Sequence, residues 1–190
     1  MLSSFVFMGF TAAYLVIRGV FIHRARRQLK TDRGDTRDRL LIALVGAGQF
    51  VLPLLFVWTP ALNFSDRAQP FACVCLGATA MLVGLWLFWR SHVDLGDNWS
   101  VTLEIDAQHR LVTRGVYRLV RHPMYTSFFI SGLGQALLLA NWIAGPAALV
   151  AVAVLVIVRV PSEEQMMIAQ FGNDYRDYMR RTGGIVPRLS

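Results

Sequence analysis

Long apolar runs alternate with short polar segments along this chain, and the lengths of the runs predict its elements. Each of the first three runs is close to the about 20 residues that a helix needs to cross the hydrocarbon core of a bilayer. Two shorter runs follow and are separated by only three residues, so they predict a tight helical hairpin. The five predicted spans are residues 2–22, 40–58, 71–89, 125–139 and 143–158.

The composition agrees with an all-α integral membrane protein with five transmembrane helices. Hydrophobic residues make up 55% of the 190 positions and charged residues 16%, whereas soluble domains average about 45–50% apolar and about 25% charged. The length favours a single domain, residues 1–190. Its first part, residues 1–90, contains three spans. Its second part, residues 91–190, contains a polar segment, the helical hairpin and amphipathic helices after it.

The basic residues lie almost entirely on one side of these spans. Of the 19 Lys and Arg residues, 17 fall in the segments after spans one, three and five, Arg67 alone follows span two, and Arg18 lies inside span one. The positive-inside rule therefore predicts an N-terminus outside and a C-terminus in the cytoplasm. Orientation together with attraction to anionic lipid headgroups is enough to explain the first basic segment, residues 24–39. No aromatic residues are interleaved with these charges, which argues against nucleic-acid binding.

The segment from Arg121 to Tyr125, Arg-His-Pro-Met-Tyr, places ionisable groups where the fourth apolar run begins. Polar groups at membrane depth are costly and therefore indicate function. Pro123 suits the first position of a helix, with His122 at the N-cap. The free N–H groups of that helix start would form an anion site. A plain helix start with a snorkelling arginine is the simpler alternative.

A second cluster, Arg159 with Glu163 and Glu164, follows the fifth run. A Ser-x-x-Gln capping box predicts that a helix begins at Ser162, and the two acids would then lie in its first turn, where the helix dipole favours them. We expect Pro161 to prevent a simple i,i+4 pair between Arg159 and Glu163. Arg159 is a charge at the end of an apolar run, so it needs an anionic partner. Glu163 or a substrate carboxylate would serve.

Two short segments carry further predictions, a polar insert before the fourth span and a pair of cysteines in the third. Strand-forming residues at 99–105 and 111–113, with a turn between them, predict a short hairpin-like insert before the fourth span. Cys73 and Cys75 are two positions apart on a predicted helix and therefore point to nearly opposite faces. We interpret them as buried apolar filler and expect neither a disulfide nor a metal site.

These residues, in this order and spacing, resemble the membrane-bound isoprenylcysteine carboxyl methyltransferases and the related phospholipid methyltransferases. The resemblance covers roughly residues 92–190, while the first three spans match only in being apolar. Thr126 and Ser127 stand where the family often has a glycine, although Ser127 keeps a small side chain there. The segments that carry the resemblance are 111–117 (Leu-Val-Thr-Arg-Gly-Val-Tyr), 121–125, Arg159 with Glu163 and Glu164, and 171–178 (Phe-Gly-Asn-Asp-Tyr-Arg-Asp-Tyr).

The resemblance implies a small helical membrane enzyme that uses S-adenosylmethionine without a Rossmann fold, and no Gly-x-Gly-x-x-Gly follows a predicted strand here. Its cofactor site would be cytoplasmic, formed by the segment before helix 4 and the C-terminal helices. Arg159 and Glu163 match the catalytic positions, with Arg159 handling the substrate. The residues that match cofactor-binding positions are His109, Arg110, Leu111, Val112, Tyr117, His122, Pro123, Met124, Tyr125 and Glu163.

The charges of this cofactor, a sulfonium zwitterion, fit these roles. Glu163 would take its amino group, N–H groups near His122 its carboxylate, and the rings of Tyr117 and Tyr125 the adenine or the cation. An acceptor carboxylate is already charged at pH 7, so it needs a cation such as Arg159 rather than a base. The implied function is methyl transfer to a lipidic acceptor at the membrane–cytoplasm interface. The favoured acceptor is the carboxylate of an isoprenylated cysteine or a similar lipid acid.

Three alternatives stay open. A phospholipid N-methyltransferase shares much of the pattern. An NADPH-dependent sterol-type reductase would need a site for a 2′-phosphate, for which Arg110, Arg114 and Arg118 are available, although five spans leave little room for its core. A non-catalytic membrane protein with a decayed site is the third, and the intact Arg159 and Glu163 argue against it. The expected partners are a lipidic substrate and membrane lipid, and no obligate protein partner is evident.

Overall fold

Seven α-helices account for most of the residues that the computed structural model describes, which are 2–26, 36–96 and 110–188. Within these ranges there is no strand, only two isolated bridges, so the all-helical prediction is confirmed there. The predicted strand residues 99–105 lie outside the described residues, and 111–113 form none. The helices are α1 (Leu2–Arg26), α2 (Thr36–Gly46), α3 (Leu52–Trp58), α4 (Phe71–Leu95), α5 (Pro123–Leu138), α6 (Ala147–Phe171) and α7 (Asn173–Arg181).

Three helical segments among the described residues are long and apolar enough to cross a membrane, judged by length and composition. They are Ser3–His23, Phe71–Leu95 and Thr36–Trp58, in which the π-helical turn Ala47–Val51 joins α2 to α3. These segments confirm the first three predicted spans. α5 has 16 residues, about 24 Å of helix against a core of about 30 Å, and charge enters α6 at Arg159. The five-span topology therefore stays a prediction.

α1 and α4 lie side by side and run in the same direction. The ring of Tyr14 stacks on that of Phe88 with centroids 4.0 Å apart, and two turns later the ring of Phe21 lies 4.6 Å from that of His92. Cys73 and Cys75, both free on α4, are half-buried and exposed respectively. The interpretation of Cys75 as buried filler is therefore wrong, because that position faces outward from the bundle.

α5 returns antiparallel to α4 at close range because small residues face each other. A Cβ built on Gly77 would come within 3.0 Å of the carbonyl oxygen of Gly134, and one built on Gly84 would collide with the hydroxyl of Ser131. Close backbone approach of this kind is the usual way in which helices associate in lipid. It places the start of α5 beside the end of α4.

α6 continues without interruption through Pro161, so the prediction that a helix begins at Ser162 is wrong. Proline removes one intrahelical hydrogen bond and bends the helix. The turns before it are anchored by four buried side chains between residues 148 and 155, and this packing offsets the local cost. The helix ends at Phe171, and Gly172 follows with a φ of +55°, after which α7 begins directly.

The loop between α5 and α6 is fixed by Asn141, at the end of the molecule opposite the start of α5. Its fully buried amide donates to the carbonyl of Leu62 at 2.8 Å and to Asp66 at 3.0 Å. Its side-chain oxygen accepts from the N–H groups of Ile143 and Ala144, at 3.0 and 2.8 Å. One side chain thus ties the hairpin loop to the loop that precedes α4.

Candidate active site

A short 3-10 turn, Gly115–Arg118, precedes α5 and is fastened to the end of α4. Asp94 accepts a hydrogen bond from the N–H group of Val116 at 2.9 Å and pairs with Arg90 at 2.6 Å. Gly115 has a φ of +61°, and a side chain at this position would collide with the carboxylate of Asp94. The bend at Gly115 therefore requires glycine, both for its backbone conformation and for the space that it leaves to Asp94.

α5 begins as the sequence predicts, with His122 at the N-cap and Pro123 in the first turn. The N–H group of His122 donates to the carbonyl of Gly184 at 3.1 Å, and that of Arg121 donates to the carbonyl of Gly183 at 2.8 Å. The segment after α7 therefore runs beside the start of α5. The N–H group of His122 is not free to hold a cofactor carboxylate, which corrects that part of the expected anion site.

Glu163 of α6 is the meeting point of the predicted site residues. Its Oε1 accepts hydrogen bonds from Nε of Arg159, at 3.0 Å, and from the hydroxyl of Tyr125. Its Oε2 lies 3.4 Å from Nδ1 of His122. The pair between Arg159 and Glu163 forms at i,i+4 because α6 continues through Pro161. The expectation that the proline would prevent this pair is therefore wrong.

Glu164 holds a second set of contacts, which sequence alone did not assign to the site. It accepts hydrogen bonds from Nη2 and Nε of Arg121, at 2.7 and 3.0 Å, and lies 3.2 Å from Nε2 of His122. Arg121 also donates to the carbonyl groups of Met179 and Thr182, at the end of α7. Arg121 and Glu164 belong to the two clusters that carry the family resemblance, but nothing in the sequence pairs them with each other.

The two carboxylates change the proton affinity of His122, which lies between them. Burial by itself lowers the pKa of His122, but the hydrogen bonds and charges of Glu163 and Glu164 outweigh burial, and the net pKa is raised. The pKa of Glu164 is lowered because hydrogen bonds from His122 and Arg121 favour its charged form against the effect of burial. The cluster is therefore a network of ion pairs in which His122 keeps its proton to a higher pH than a solvated histidine.

Arg159 is engaged through one of its three nitrogens. Its side chain is 11% exposed, and within the described residues only Nε donates a hydrogen bond, to Glu163. The two terminal nitrogens are therefore available to a planar anionic group, which the fork of a guanidinium matches.

The remaining predicted residues are placed differently. His109 lies outside the described residues, and the three residues after it are exposed or half-buried, as is Met124. Tyr117 is buried, and its hydroxyl donates a hydrogen bond to the carbonyl of Ser91 at 3.3 Å. The negative charge of Glu163 adds to the effect of burial in raising the pKa of this hydroxyl. Its ring is therefore packed rather than presented as an open aromatic face. No cluster of three or more potential metal ligands occurs in the part of the chain that the structure describes.

Apolar helices that carry a buried ionic cluster at one end define an integral membrane protein with a candidate active site. A family model described as the isoprenylcysteine carboxyl methyltransferase (ICMT) family matches residues 75–169, from α4 through both acidic residues of the cluster. The chain belongs to this family and is a methyltransferase.

Relatives match the chain over most of its length. The probable protein-S-isoprenylcysteine O-methyltransferase of Oryza sativa subsp. indica is 26% identical over 174 residues, 88% of this chain and 91% of that protein. Protein-S-isoprenylcysteine O-methyltransferase A of Arabidopsis thaliana is 30% identical over 154 residues, 80% of this chain and 78% of that protein. The solved structure of a eukaryotic intramembrane Ras methyltransferase, ICMT, has the same fold, with a TM-score of 0.60 and 21% identity over 96% of this chain and 67% of that one.

Proposed function

We propose that this protein methylates the carboxylate of an isoprenylated cysteine, with S-adenosylmethionine as the methyl donor, at the cytoplasmic face of the membrane. The observation that carries the proposal is the pair of Arg159 and Glu163, a cation and an anion one helical turn apart and both largely buried. Such a pair suits two ligands with opposite end groups, a cofactor ammonium and an acceptor carboxylate. The relatives are named as protein-S-isoprenylcysteine O-methyltransferases, which supports the choice of acceptor.

Glu163 fits the ammonium group of the cofactor. Its Oε1 is engaged by Arg159 and Tyr125, whereas Oε2 has only a long contact of 3.4 Å with His122 among the described residues. A carboxylate oxygen can accept more than one hydrogen bond, so Oε2 has capacity for a charged donor. The family resemblance assigns further cofactor contacts, and we keep them as part of this proposal: His109, Arg110, Leu111, Val112, Tyr117, His122, Pro123, Met124 and Tyr125.

The proposed reaction needs little acid–base catalysis by the protein. When bound, the cofactor supplies a methyl group on a positively charged sulfur, and transfer to a carboxylate forms a C–O bond while the electrons of the broken C–S bond stay on sulfur. No proton has to move. The side chains therefore contribute by alignment and by exclusion of water. The terminal nitrogens of Arg159 would hold the acceptor oxygens where α6 leaves its apolar stretch.

The same cation disfavours an amine acceptor. The headgroup amine of a phospholipid is protonated at neutral pH, so Arg159 would repel it and the site would need a base to remove its proton. Hydrogen bonds from His122 and Arg121 lower the pKa of Glu164, which makes it a poor base, and Glu163 is engaged in an ion pair with Arg159. These contacts favour a carboxylate over an amine.

An acceptor assay tests the proposal. The full-length protein in lipid nanodiscs would receive labelled S-adenosylmethionine with N-acetyl-S-farnesylcysteine in one sample and phosphatidylethanolamine in another. We expect label in the prenylcysteine alone, as a methyl ester that dilute base releases as methanol. Base-stable label in the phospholipid would overturn the choice of acceptor, and no transfer to either lipid would overturn the proposed reaction.

A further inference from the structure

The ring of His122 contacts a carboxylate at each of its two nitrogens. Nε2 lies 3.2 Å from Oε1 of Glu164, and Nδ1 lies 3.4 Å from Oε2 of Glu163. The side chain of His122 is only 8% exposed, so water has little access to either nitrogen. A neutral imidazole carries one N–H group and a protonated imidazole carries two. Both carboxylates can therefore accept a hydrogen bond from this ring only while both of its nitrogens are protonated.

The contact at Nε2 is the firmly held one, because Arg121 fixes Glu164 in place. Nη2 and Nε of Arg121 donate to Oε1 of Glu164 at 2.7 and 3.0 Å. Arg121 also donates to the carbonyl group of Thr182, just after α7. The carboxylate of Glu164 is thus tied to the end of α7 as well as to α6. It stays beside Nε2 of His122 whatever happens at Glu163.

The contact at Nδ1 involves an oxygen that has a second claimant. Oε1 of Glu163 accepts hydrogen bonds from Arg159 and Tyr125, which leaves Oε2 as the oxygen for the cofactor ammonium group. The N–H group at Nδ1 of a protonated His122 and an ammonium group are both cationic donors. Two positive charges at one oxygen repel each other. The charge that can leave is the proton on Nδ1, because the ring keeps its bond to Glu164 through Nε2.

We propose that His122 gives up the proton on Nδ1 when the cofactor ammonium group binds at Glu163, and that Glu164 is the positioning residue that holds the ring by its Nε2 proton. The proton passes to solvent water, and the neutral ring keeps a lone pair on Nδ1 that can accept a hydrogen bond. This inference rests on the proposed function, because it takes Glu163 to hold the ammonium group. Cofactor binding and proton release are then coupled, and such coupling is reciprocal.

The surrounding groups allow His122 to be the one that titrates near neutral pH. Burial lowers the pKa of His122, but the two glutamates outweigh burial and the net pKa is raised, while the pKa of Glu164 is lowered. Burial raises the pKa values of Tyr175 and Tyr178 on α7, so both stay neutral. On α4, Arg90 and Asp94 pair with each other. The other charged or titratable groups that we have described around the start of α5 are Arg121, Arg159 and Tyr125.

Calorimetry with S-adenosylhomocysteine on the wild-type protein in nanodiscs tests the coupling. Titrations in phosphate and in imidazole buffer, whose ionisation enthalpies differ, count the protons released. The ligand keeps its ammonium group protonated between about pH 6 and about pH 7. In this range we expect release of about one proton and an affinity that rises by up to about tenfold per pH unit. Both effects should decline as the pH rises through the folded pKa of His122.

Glu164→Gln separates positioning from mere structural support. The amide keeps the shape of the side chain but removes one of the two charges that favour the protonated ring. We expect His122 to titrate at a lower pH, as observed by NMR of histidine-labelled protein without cofactor, and proton release at about pH 7 to fall by about half or more. His122→Gln identifies the resonance and should bind without releasing a proton. Asp174→Asn, an exposed acid on α7, is the matched control and should behave as the wild type.

The outcomes separate this inference from the proposed function. Wild-type protein that binds S-adenosylhomocysteine at about pH 6 without proton release would overturn the inference, as would a Glu164→Gln protein in which His122 titrates as in the wild type. Proton-coupled binding without methyl transfer to a prenylcysteine would instead overturn the proposed function and leave the coupling in place. A protein that does not bind S-adenosylhomocysteine would overturn both.

Discussion

His122 lies between two glutamates, and each glutamate pairs with an arginine, so the candidate site is a small network of largely buried charges. Breaking a buried pair by removing one partner leaves the other charge uncompensated, which is costly. Each of these residues therefore carries a structural as well as a chemical role. Neutral replacements of similar shape separate the two roles better than alanine does.

Glu163→Gln should weaken binding of S-adenosylhomocysteine, because the amide keeps the shape of the side chain but loses the charge that attracts an ammonium group. We expect a loss of about 1.5–3 kcal/mol, the usual worth of a hydrogen bond to a charged group, measured by calorimetry on the purified protein. Asp177→Asn is the control, since that carboxylate is exposed and pairs with Arg180. Unchanged affinity in a folded Glu163→Gln protein would leave Glu163 as a structural partner of Arg159 alone.

The raised pKa of His122 predicts a stability that depends on pH. A group whose pKa is raised on folding contributes fully below its unfolded pKa, about 6.5, and the contribution is lost as the pH rises through its folded pKa. Glu164, whose pKa is lowered, stays ionised across this range. The difference in thermal midpoint between the wild type and His122→Gln should therefore be largest below about pH 6.5 and shrink as the pH is raised above that value. A constant difference would contradict the ion-pair description.

Helices were easier to predict than the contacts between them. The apolar runs predicted the first three spans, and Pro123 marked the start of α5, because these signals are local. Pro161 misled for the opposite reason, since the packing of neighbouring turns keeps α6 intact. The pair of Arg121 and Glu164 joins residues 43 positions apart, and no local pattern carries such a contact.

Asn141 allows a test of how the helices are held together, because it ties the hairpin loop between α5 and α6 to the loop before α4. Asn141→Ala would leave the N–H groups of Ile143 and Ala144 without their acceptor. Buried groups left unpaired cost about 1–3 kcal/mol, so we expect the free energy of unfolding in detergent to fall by about this amount. Asn63→Ala changes an exposed position in the loop before α4 and should have little effect. Equal stability of both variants would show that the loop is held elsewhere.

In the whole molecule, helix direction decides which ends meet. α1 and α4 are parallel and α5 returns between them and α6, so the later parts of α1, α4 and α6 gather at the start of α5. Arg67 and Asn141 mark the opposite end. Among the described residues, most arginines lie at the end that holds the candidate site. The positive-inside rule therefore predicts that this end is cytoplasmic.

Cysteine labelling in intact cells tests this orientation. With Cys73 and Cys75 replaced by serine, we expect Asn63→Cys to react with an impermeant reagent from outside and Asp177→Cys to react only after the membrane is opened. Both positions are exposed in the fold, so access depends on the side of the membrane. The reverse pattern would overturn the orientation.

In the proposed reaction Arg159 and Glu163, one turn apart on α6, bind different ligands: Arg159 holds the acceptor and Glu163 holds the cofactor. Arg159→Lys keeps the charge but loses the planar fork, and turnover with a prenylcysteine acceptor should fall by about one to two orders of magnitude, the equivalent of one charge-assisted contact of about 1.5–3 kcal/mol. Arg180→Lys, an exposed position, is the control. The decisive measurement is the affinity for S-adenosylhomocysteine of the same Arg159→Lys protein. We expect this affinity to stay close to the wild-type value, whereas a parallel loss of turnover and cofactor affinity, or a loss of neither, would show that Arg159 and Glu163 do not divide the ligands in this way.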